Sequence, residues 1–416
     1  MATVSERQGI RTTPVVGWGI EQPEFDARVA RVRRELERRQ LSGLVLFHPI
    51  RMAYLSGFFH YSTERPMAIV VGPDGGLAAL VPHLEQDHIA AIPGVDRVMV
   101  YPEYPTGGSK HPLLFLVDLL TEMGLNGKGT RLGYDSNGYL DSNGYDGPLL
   151  SEIVADDVET LPARDIVDRL RAVKSEAELA FIKESCVWGN LAHRLMQEKL
   201  AIGRNAMEIG VEASAEASRT MIAALGPTYR PLTAGFGTPA MVVFSAGANT
   251  VQPHGLLHTR GLQRGDVLVT GAGADVGGYN SELERTMIIG EPTPEFEHYF
   301  DRMLQLQQTA FDAIRPGRRL AEVETEVSAA FADLGVAEFR RHHTGHGIGL
   351  EGHEWPFIDK GSSDVIEEMM VLTIEPGIYV SGLAGFRHSD TVVVRADGVE
   401  RLTYYPRDLP SMIVDL

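Results

Sequence analysis

The sequence predicts two domains, an α/β domain at residues 1–165 and an α+β domain at residues 166–416. The first observation is length, because 416 residues exceed what one hydrophobic core usually holds. The second is that single strands and single helices alternate in the first part, as in a mixed sheet with flanking helices. The third is that later strands come in runs between paired helices, which favours helices packed on one face of an antiparallel sheet.

Local patterns place the elements of the first domain. Phe25 to Gln40 has the apolar spacing of a helix, and a second helix is predicted around Leu113 to Met123. The Pro-Asp-Gly sequence at residues 73–75 predicts a turn between strands. The predicted strands are Gly43 to Phe47, Met67 to Val71, Val98 to Tyr101 and Arg131 to Tyr134. A boundary is expected near residues 162–168.

The second domain should open with a long helix. Ser175 and Glu178 have the spacing of a capping box, in which each side chain bonds the backbone amide of the other residue. The other predicted elements are helices at Ala206 to Leu225 and Glu295 to Ile314, and strands at Val267 to Val269, Tyr279 to Ile289, Val371 to Ile374 and Thr391 to Val394.

Composition excludes several classes of partner. The formal net charge is −18, so nucleic acid would be repelled. The single cysteine, Cys186, cannot form an intrachain disulfide and is expected to be a buried thiol. The N-terminus does not resemble a signal peptide, and no run reaches the ~20 apolar residues that span a bilayer. We therefore expect a cytoplasmic protein that binds neither nucleic acid nor membrane.

Four polar segments interrupt the predicted sheet and supply candidate functional residues. His254 lies between Pro253 and Gly255, whose irregular backbone is typical of functional side chains. Glu282 and Glu284 should share one face of a strand, where a buried pair of carboxylates needs a cation. The other two candidates are His346, in a glycine-rich histidine cluster with His353, and Glu375, at the end of an apolar strand.

In their order and spacing, these segments resemble the pita-bread family that includes methionine aminopeptidase, prolidase, aminopeptidase P and creatinase. The resemblance spans residues 171–416, with a weaker extension through the first domain. Its motifs are Pro253-His254, Ala272-Gly-Ala with Gly277-Gly-Tyr279, His343-Thr-Gly-His-Gly-Ile-Gly349, Ile374-Glu-Pro-Gly-Ile-Tyr379, and Arg387 with Asp390-Thr391. The resemblance implies a creatinase/prolidase-like N-terminal domain and a catalytic pita-bread domain, a curved antiparallel sheet covered by helices.

The same resemblance bears on metal binding. The peptidases of this family hold two metal ions at positions that correspond here to Gly271, Glu282, His346, Glu375 and Ser389. Two of these carboxylates are therefore lost, and hard divalent cations depend on carboxylate charge. We expect no metal cofactor, with a single ion on Glu282, His346 and Glu375 as the alternative.

Several residues instead resemble creatinase, the branch that works without metal. His254 matches its catalytic histidine, His346 a further active-site histidine, and Glu284 and Glu375 the acids that hold its cationic substrate. Arg65, in Tyr61-Ser-Thr63-Glu-Arg65-Pro66, matches the arginine that grips the substrate carboxylate across a dimer interface, which implies a homodimer.

This chain also departs from creatinase. Thr63 replaces an aromatic residue, a second substrate arginine is absent near Phe357, and Glu282 replaces a small residue. His353 resembles the peptidase branch, where this histidine contacts the scissile group.

The function predicted from these features is creatinase-like hydrolysis of a carbon-nitrogen bond in a small charged substrate, without a dinuclear metal centre. The alternatives are a metal-dependent Xaa-Pro dipeptidase or aminopeptidase with one ion, a lyase of the family, and an inactive pita-bread binding protein. The predicted catalytic residues are His254, His346, Glu284 and Glu375, and the predicted substrate-binding residues are Glu282, His353, Arg65, Thr63 and Phe357.

Overall fold

The computed structural model describes residues 19–102, 110–139, 144–232, 237–255 and 259–416. These residues divide into two compact units, one from Ile20 to Arg171 and one from Ala172 to Leu416. Among them, no helix is both long and apolar enough to cross a membrane.

The N-terminal unit is an α/β domain, as predicted. Its strands are β1 (Gly43–Leu46), β2 (Ala68–Val71), β3 (Leu77–Pro82), β4 (Val95–Tyr101), β5 (Arg131–Tyr134) and β6 (Glu159–Pro162). Its helices are α1 (Gln22–Arg39), α2 (Pro49–Ser56), α3 (Gln86–Ala90), α4 (Pro112–Glu122), α5 (Leu150–Ile153) and α6 (Asp165–Ala172), with a 3-10 turn at His83–Glu85.

The described strands of this unit form one mixed sheet in the order β4-β3-β2-β1-β5-β6. Strands β1, β2 and β3 pair antiparallel, whereas β4, β5 and β6 join their neighbours in parallel. Val45, Leu80, Leu116 and Leu132 are fully buried in its core. Burying one such side chain contributes about 1.5–3 kcal/mol, so this apolar layer stabilises the unit.

The C-terminal unit begins with two long helices, α7 (Glu176–Glu198) and α8 (Ala206–Leu225), followed by β7 (Ala240–Ala246) and a 3-10 turn at Gly247–Val251. Next come β8 (Val267–Ala274), β9 (Leu283–Glu284), β10 (Thr286–Ile289), α9 (Pro294–Ala313), α10 (Leu320–Asp333) and a 3-10 turn at Ala337–Phe339. The remaining elements are β11 (Gly345–Gly347), β12 (Glu354–Ile358), β13 (Val371–Ile374), β14 (Ile378–Val380), β15 (Ala384–Phe386), β16 (Ser389–Arg395), β17 (Gly398–Arg401), α11 (Leu409–Met412) and β18 (Ile413–Val414).

A ten-stranded sheet organises the described part of this unit. Its main path runs β12-β11-β13-β16-β9-β8-β10-β18, with β17 paired to β16 and β7 paired to β8. The pairings are antiparallel except that of β10 with β18. Helix α8 packs on β7 and α7 packs on β8. The predicted α+β pita-bread architecture is therefore confirmed.

The start of α7 follows the predicted capping box. The Ser175 Oγ accepts a hydrogen bond from the Glu178 amide at 3.1 Å, and the Ser175 amide donates to Glu178 Oε2 at 2.8 Å. Glu178 Oε1 also accepts a hydrogen bond from the Tyr279 hydroxyl at 2.8 Å. The cap thus fixes the helix end and ties it to the loop that precedes β9.

The single strand predicted from Tyr279 to Ile289 is wrong, because the structure divides it into β9 and β10 around Arg285. The Arg285 side chain is fully buried and donates to Asp390 Oδ1 at 2.8 Å and to the Pro406 carbonyl at 2.7 Å. A buried guanidinium needs several hydrogen-bond acceptors. The strand is interrupted at Arg285, where the side chain reaches them.

Candidate functional site

Adjacent strands bring the polar candidates together at one place in the C-terminal unit. Strand β9 carries Glu284 and lies between β8 and β16, where Glu284 is paired with Ser389. Strand β11 carries His346 and pairs with β13, which ends at Ile374, one residue before Glu375. Residues far apart in the sequence therefore meet on neighbouring strands.

The ligand atoms form two overlapping groups. Carboxylate oxygens of Glu282, Glu284 and Glu375 all lie within 4.8 Å of one another. Glu282 also groups with ring nitrogens of His346 and His353 within the same limit. The structure thus brings together five of the predicted site residues.

His346 is held in an orientation suited to a ligand. Its side chain is fully buried, and its Nδ1 lies 2.9 Å from the Gly347 carbonyl, to which it can donate. Its Nε2 then faces Glu375 Oε1 at 3.2 Å and Glu282 Oε2 at 3.9 Å. The ring of His353 stacks on the ring of His346 with centroids 3.7 Å apart. A donor contact at Nδ1 of this kind typically orients a histidine for metal binding through Nε2.

Burial and charge act in opposite directions on the groups of this cluster. Burial alone would lower the pKa of His346, but its interaction with Glu375 and the charge of Glu282 raise that pKa to about 9. Burial would raise the pKa of Glu375, but His346 and Arg387 outweigh it and lower the pKa to about 2. Desolvation and the charge of Glu375 raise the pKa of Glu282. The cluster is therefore a dense set of interacting charges, as at many functional sites.

Arg387 compensates one of the carboxylates. Its Nη2 donates to Glu284 Oε1 at 2.6 Å, and its Nε lies 2.5 Å from Glu284 Oε2. Burial raises the pKa of Glu284 to about 8, although this guanidinium opposes that shift. We nevertheless assign Glu284 as ionised, because the buried Arg387 guanidinium lies within 2.6 Å of both of its oxygens and needs a negative charge beside it.

A second group of polar contacts was not predicted from the sequence. The Arg387 Nη1 donates to the Tyr379 hydroxyl at 3.2 Å, and His342 Nε2 lies 2.9 Å from the same oxygen. Arg387 and Tyr379 belong to motifs noted in the sequence, but no pattern in the sequence indicates that they contact each other.

The two positions that lack carboxylates border the cluster. A Cβ atom placed on Gly271 would lie 3.7 Å from Glu284 Oε1, and Ser389 Oγ donates to Glu282 Oε1 at 2.6 Å. Two cavities, of about 120 Å³ and about 320 Å³, share Val243, Gly271 and Glu284 as lining residues. Gly271, which has no side chain, thus leaves both cavities open beside Glu284.

The remaining predicted site residues lie outside these groups. His254 is exposed in the turn after Gly247–Val251, although its charge still contributes to lowering the pKa of His353, which burial lowers most. Phe357 is the ladder partner of His346. Thr63 and Arg65 belong to the N-terminal unit, where Arg65 Nη1 pairs with Glu64 Oε1 at 2.6 Å.

The described donors include a set of ligand types that suits a divalent ion. Glu282, His346 and Glu375 offer carboxylate oxygens and an imidazole nitrogen, the ligand types that divalent ions bind in proteins. Gly271 has no side-chain donor, Ser389 offers only a hydroxyl, and Glu284 is bonded to Arg387. A second ion would therefore gain no free charged ligand from these three positions.

Comparisons with known proteins agree on one family. Residues 180–396 match the family described as metallopeptidase family M24, and residues 28–173 match the creatinase/prolidase N-terminal domain. The Xaa-Pro dipeptidase of Pyrococcus horikoshii is 31% identical over 245 residues, which are 59% of this chain and 66% of that protein. The probable dipeptidase PepE of Mycobacterium tuberculosis is 30% identical over 373 residues, 89% of this chain and 92% of that protein.

Solved structures show the same fold. The dipeptidase PepE of Mycobacterium ulcerans is 27% identical, with a TM-score of 0.79 over 96% of this chain and 100% of that one. The zinc-substituted aminopeptidase P of E. coli in complex with product is 19% identical, with a TM-score of 0.70 over 92% of this chain and 95% of that one. At 19% identity, the second likeness shows the fold alone.

The prediction of a metal-independent, creatinase-like hydrolase without a cofactor is wrong. The matched family is one of metallopeptidases, its matched relatives are named Xaa-Pro dipeptidase and dipeptidase, and the site holds groups that could bind a metal ion. The prediction relied on the two carboxylates that are lost at Gly271 and Ser389. The sequence does not show that the imidazole of His346 and the carboxylates of Glu282 and Glu375 still lie close together.

Proposed function

The chain belongs to metallopeptidase family M24, and we therefore propose that it is a metal-dependent peptidase that hydrolyses Xaa-Pro dipeptides with one divalent ion. Its relatives make it a hydrolase of carbon-nitrogen bonds. The observation that carries the proposal is the convergence of Glu282, His346 and Glu375, with His346 Nε2 facing both carboxylates.

Charge balance supports one ion rather than two. Glu282, Glu284 and Glu375 bring three negative charges, and Arg387 brings one positive charge. One divalent ion with neutral His346 makes the buried site neutral, whereas two would leave two uncompensated positive charges. Uncompensated buried charge costs several kcal/mol, so the second ion is disfavoured.

In the proposed reaction, water adds across the peptide bond and releases the N-terminal amino acid and proline. A bound divalent ion supplies Lewis acidity toward the scissile carbonyl and lowers the pKa of water. Glu282, His346 and Glu375 would hold the ion, and the hydrogen bond from Ser389 fixes the Glu282 carboxylate. Arg387 fixes Glu284 at the wall of the adjoining cavities, which provide room for a small peptide.

Two histidines are proposed to handle protons. Burial lowers the pKa of His353, so this ring is neutral at neutral pH and can accept a proton or donate one N–H to the substrate carbonyl. His254 is exposed and is proposed to give a proton to the leaving proline nitrogen.

We also propose that the protein is a cytoplasmic homodimer in which Arg65 reaches the partner's site and binds the substrate carboxylate, near Thr63 and Phe357. Support comes from the position of Arg65, whose partly exposed side chain pairs with the exposed Glu64 and is therefore accessible to a partner subunit. Arg65→Ala should then raise KM about tenfold with kcat little changed. A protein that is monomeric in solution, or an unchanged KM, would contradict this arrangement.

Metal analysis combined with activity tests the proposed function. The purified chain should contain about one divalent ion, cleave Leu-Pro faster than Leu-Ala, lose activity with a chelator and regain it with Mn²⁺, Co²⁺ or Zn²⁺. His346→Ala should lose both the ion and the activity, whereas His298→Ala, which changes an exposed histidine on α9, should lose neither. Full turnover by metal-free protein would refute the proposal.

A further inference from the structure

A concave surface of the N-terminal unit gathers positive charge in an otherwise acidic protein. The cavity, about 630 Å³, lies between α1 and α6. Arg31, Arg34, Arg38 and Arg39 line it from α1, and Arg169 lines it from α6. The whole chain carries a net charge of −18, so the positive charge at this cavity is opposite in sign to that of the protein as a whole.

Helix geometry explains why the arginines converge. Positions 31, 34 and 38 are three, four and seven residues apart, so their side chains share one face of α1. Arg169 follows Asp165 by one helical turn on α6 and faces the same space. The guanidinium groups are thus arranged by two rigid helices.

The two acids of the cavity, Glu35 and Asp165, are already occupied. Glu35 accepts hydrogen bonds from Arg38 at 2.6 and 2.8 Å and from Arg39 at 2.6 Å. Asp165 accepts two hydrogen bonds from Arg39, at 2.7 and 2.9 Å, and lies 3.5 Å from Arg169. These contacts keep both carboxylates ionised and leave them little capacity to neutralise further arginines.

A surplus of positive charge remains. Five arginines against two carboxylates give a local excess of three charges. Within the described ranges, Arg31 and Arg34 form no hydrogen bond or ion pair, and both are exposed. A ligand would therefore find unused guanidinium donors without first breaking an internal pair.

We propose that this cavity binds a small polyphosphate, a molecule with a diphosphate group. Guanidinium groups pair with phosphate oxygens through two parallel hydrogen bonds, which lysine cannot do. A diphosphate group carries roughly three negative charges at neutral pH, which matches the excess of three. A partly open cavity of about 630 Å³, lined by two helices, suits a compact anion better than an extended acidic chain.

Titration of the full chain with sodium pyrophosphate, by calorimetry at physiological ionic strength, tests the proposal. Pyrophosphate should bind at least about tenfold more tightly than orthophosphate or sulfate. Arg31→Gln/Arg34→Gln should weaken it about tenfold or more, while Arg219→Gln/Arg230→Gln, which removes two exposed arginines of the other unit, should change it less than about twofold. ADP in place of pyrophosphate distinguishes a nucleotide from the free anion as the source of the diphosphate.

Pyrophosphate also chelates metals, so the same titration is made with His346→Ala, in which binding to the cavity should persist. Because His346→Ala removes a ligand of the proposed metal site, pyrophosphate binding that persists in this variant cannot come from that site, so the two proposals are tested separately. Absence of binding at millimolar pyrophosphate, equal loss in both double variants, or equal affinity for sulfate would each overturn the site.

Discussion

At the residue scale, metal stoichiometry depends on two small side chains. Gly271 and Ser389 border the carboxylate cluster, and neither brings a charge. Arg387 contacts Glu284 and supplies a positive charge beside this carboxylate, as a second cation would. In the proposed one-ion site the charges are balanced, so changing these two residues should change the number of ions that the site holds.

Gly271→Asp/Ser389→Glu should bind two divalent ions per chain instead of one. The two new carboxylates raise the negative charge from three to five, and with Arg387 and two ions the site is again neutral. Mass spectrometry of the metal content after dialysis measures the result. Gly127→Asp, at a position with open space around it, serves as the control and should leave one ion. A double variant that still holds one ion would contradict the charge argument.

At the element scale, the start of α7 connects the sequence to the site. The capping box of Ser175 and Glu178 satisfies amides that have no partner within the helix, and Glu178 also accepts the Tyr279 hydroxyl. Tyr279 lies four residues before β9, the strand that carries Glu284. The cap therefore stabilises the helix and the approach to the site together.

Ser175→Ala should lower the free energy of unfolding by about 1 kcal/mol, the usual cost of losing such a cap. Urea denaturation followed by circular dichroism measures this difference. Glu176→Ala removes an exposed acid from the same first turn without touching the cap, and should cost less than half as much. Equal losses in the two variants would show that helix charge, and not the cap, is responsible.

The elements also show what the sequence could and could not predict. The capping box and strands such as β13 depend on neighbouring residues, and the sequence predicted them correctly. The division around Arg285 could not be predicted, because it depends on Asp390 and Pro406, more than 100 residues away. The family motifs identified the glutamates and His346, but the contacts of Arg387 with Glu284 and Tyr379 become visible only in the folded sheet.

At the scale of the whole molecule, buried histidines link folding to pH. His193, on α7, is fully buried, with Nε2 2.8 Å from the Thr270 hydroxyl and its ring against Tyr405. Burial, with a smaller effect of Arg285, lowers the pKa of His193 to about 3. Burial also lowers the pKa of His388 well below its ordinary value. Both histidines are therefore neutral in the folded protein at moderately acidic pH.

These shifts predict that the protein loses stability in acid. In the unfolded chain, histidine has a pKa of about 6.5, whereas folded His193 takes up a proton only near pH 3. Between these values the unfolded state binds more protons, so the stabilisation is complete above pH 6.5 and decreases as the pH falls.

Each such histidine gives a slope of at most about 1.4 kcal/mol in the free energy of unfolding per pH unit. His193→Gln should remove one such contribution between pH 6.5 and 4.5. Urea denaturation at several pH values, with chelator present to exclude metal-linked effects, measures the slope. His298→Gln, at an exposed position, should leave the slope unchanged, and a His193→Gln slope equal to that of the wild type would show that His193 is not its source.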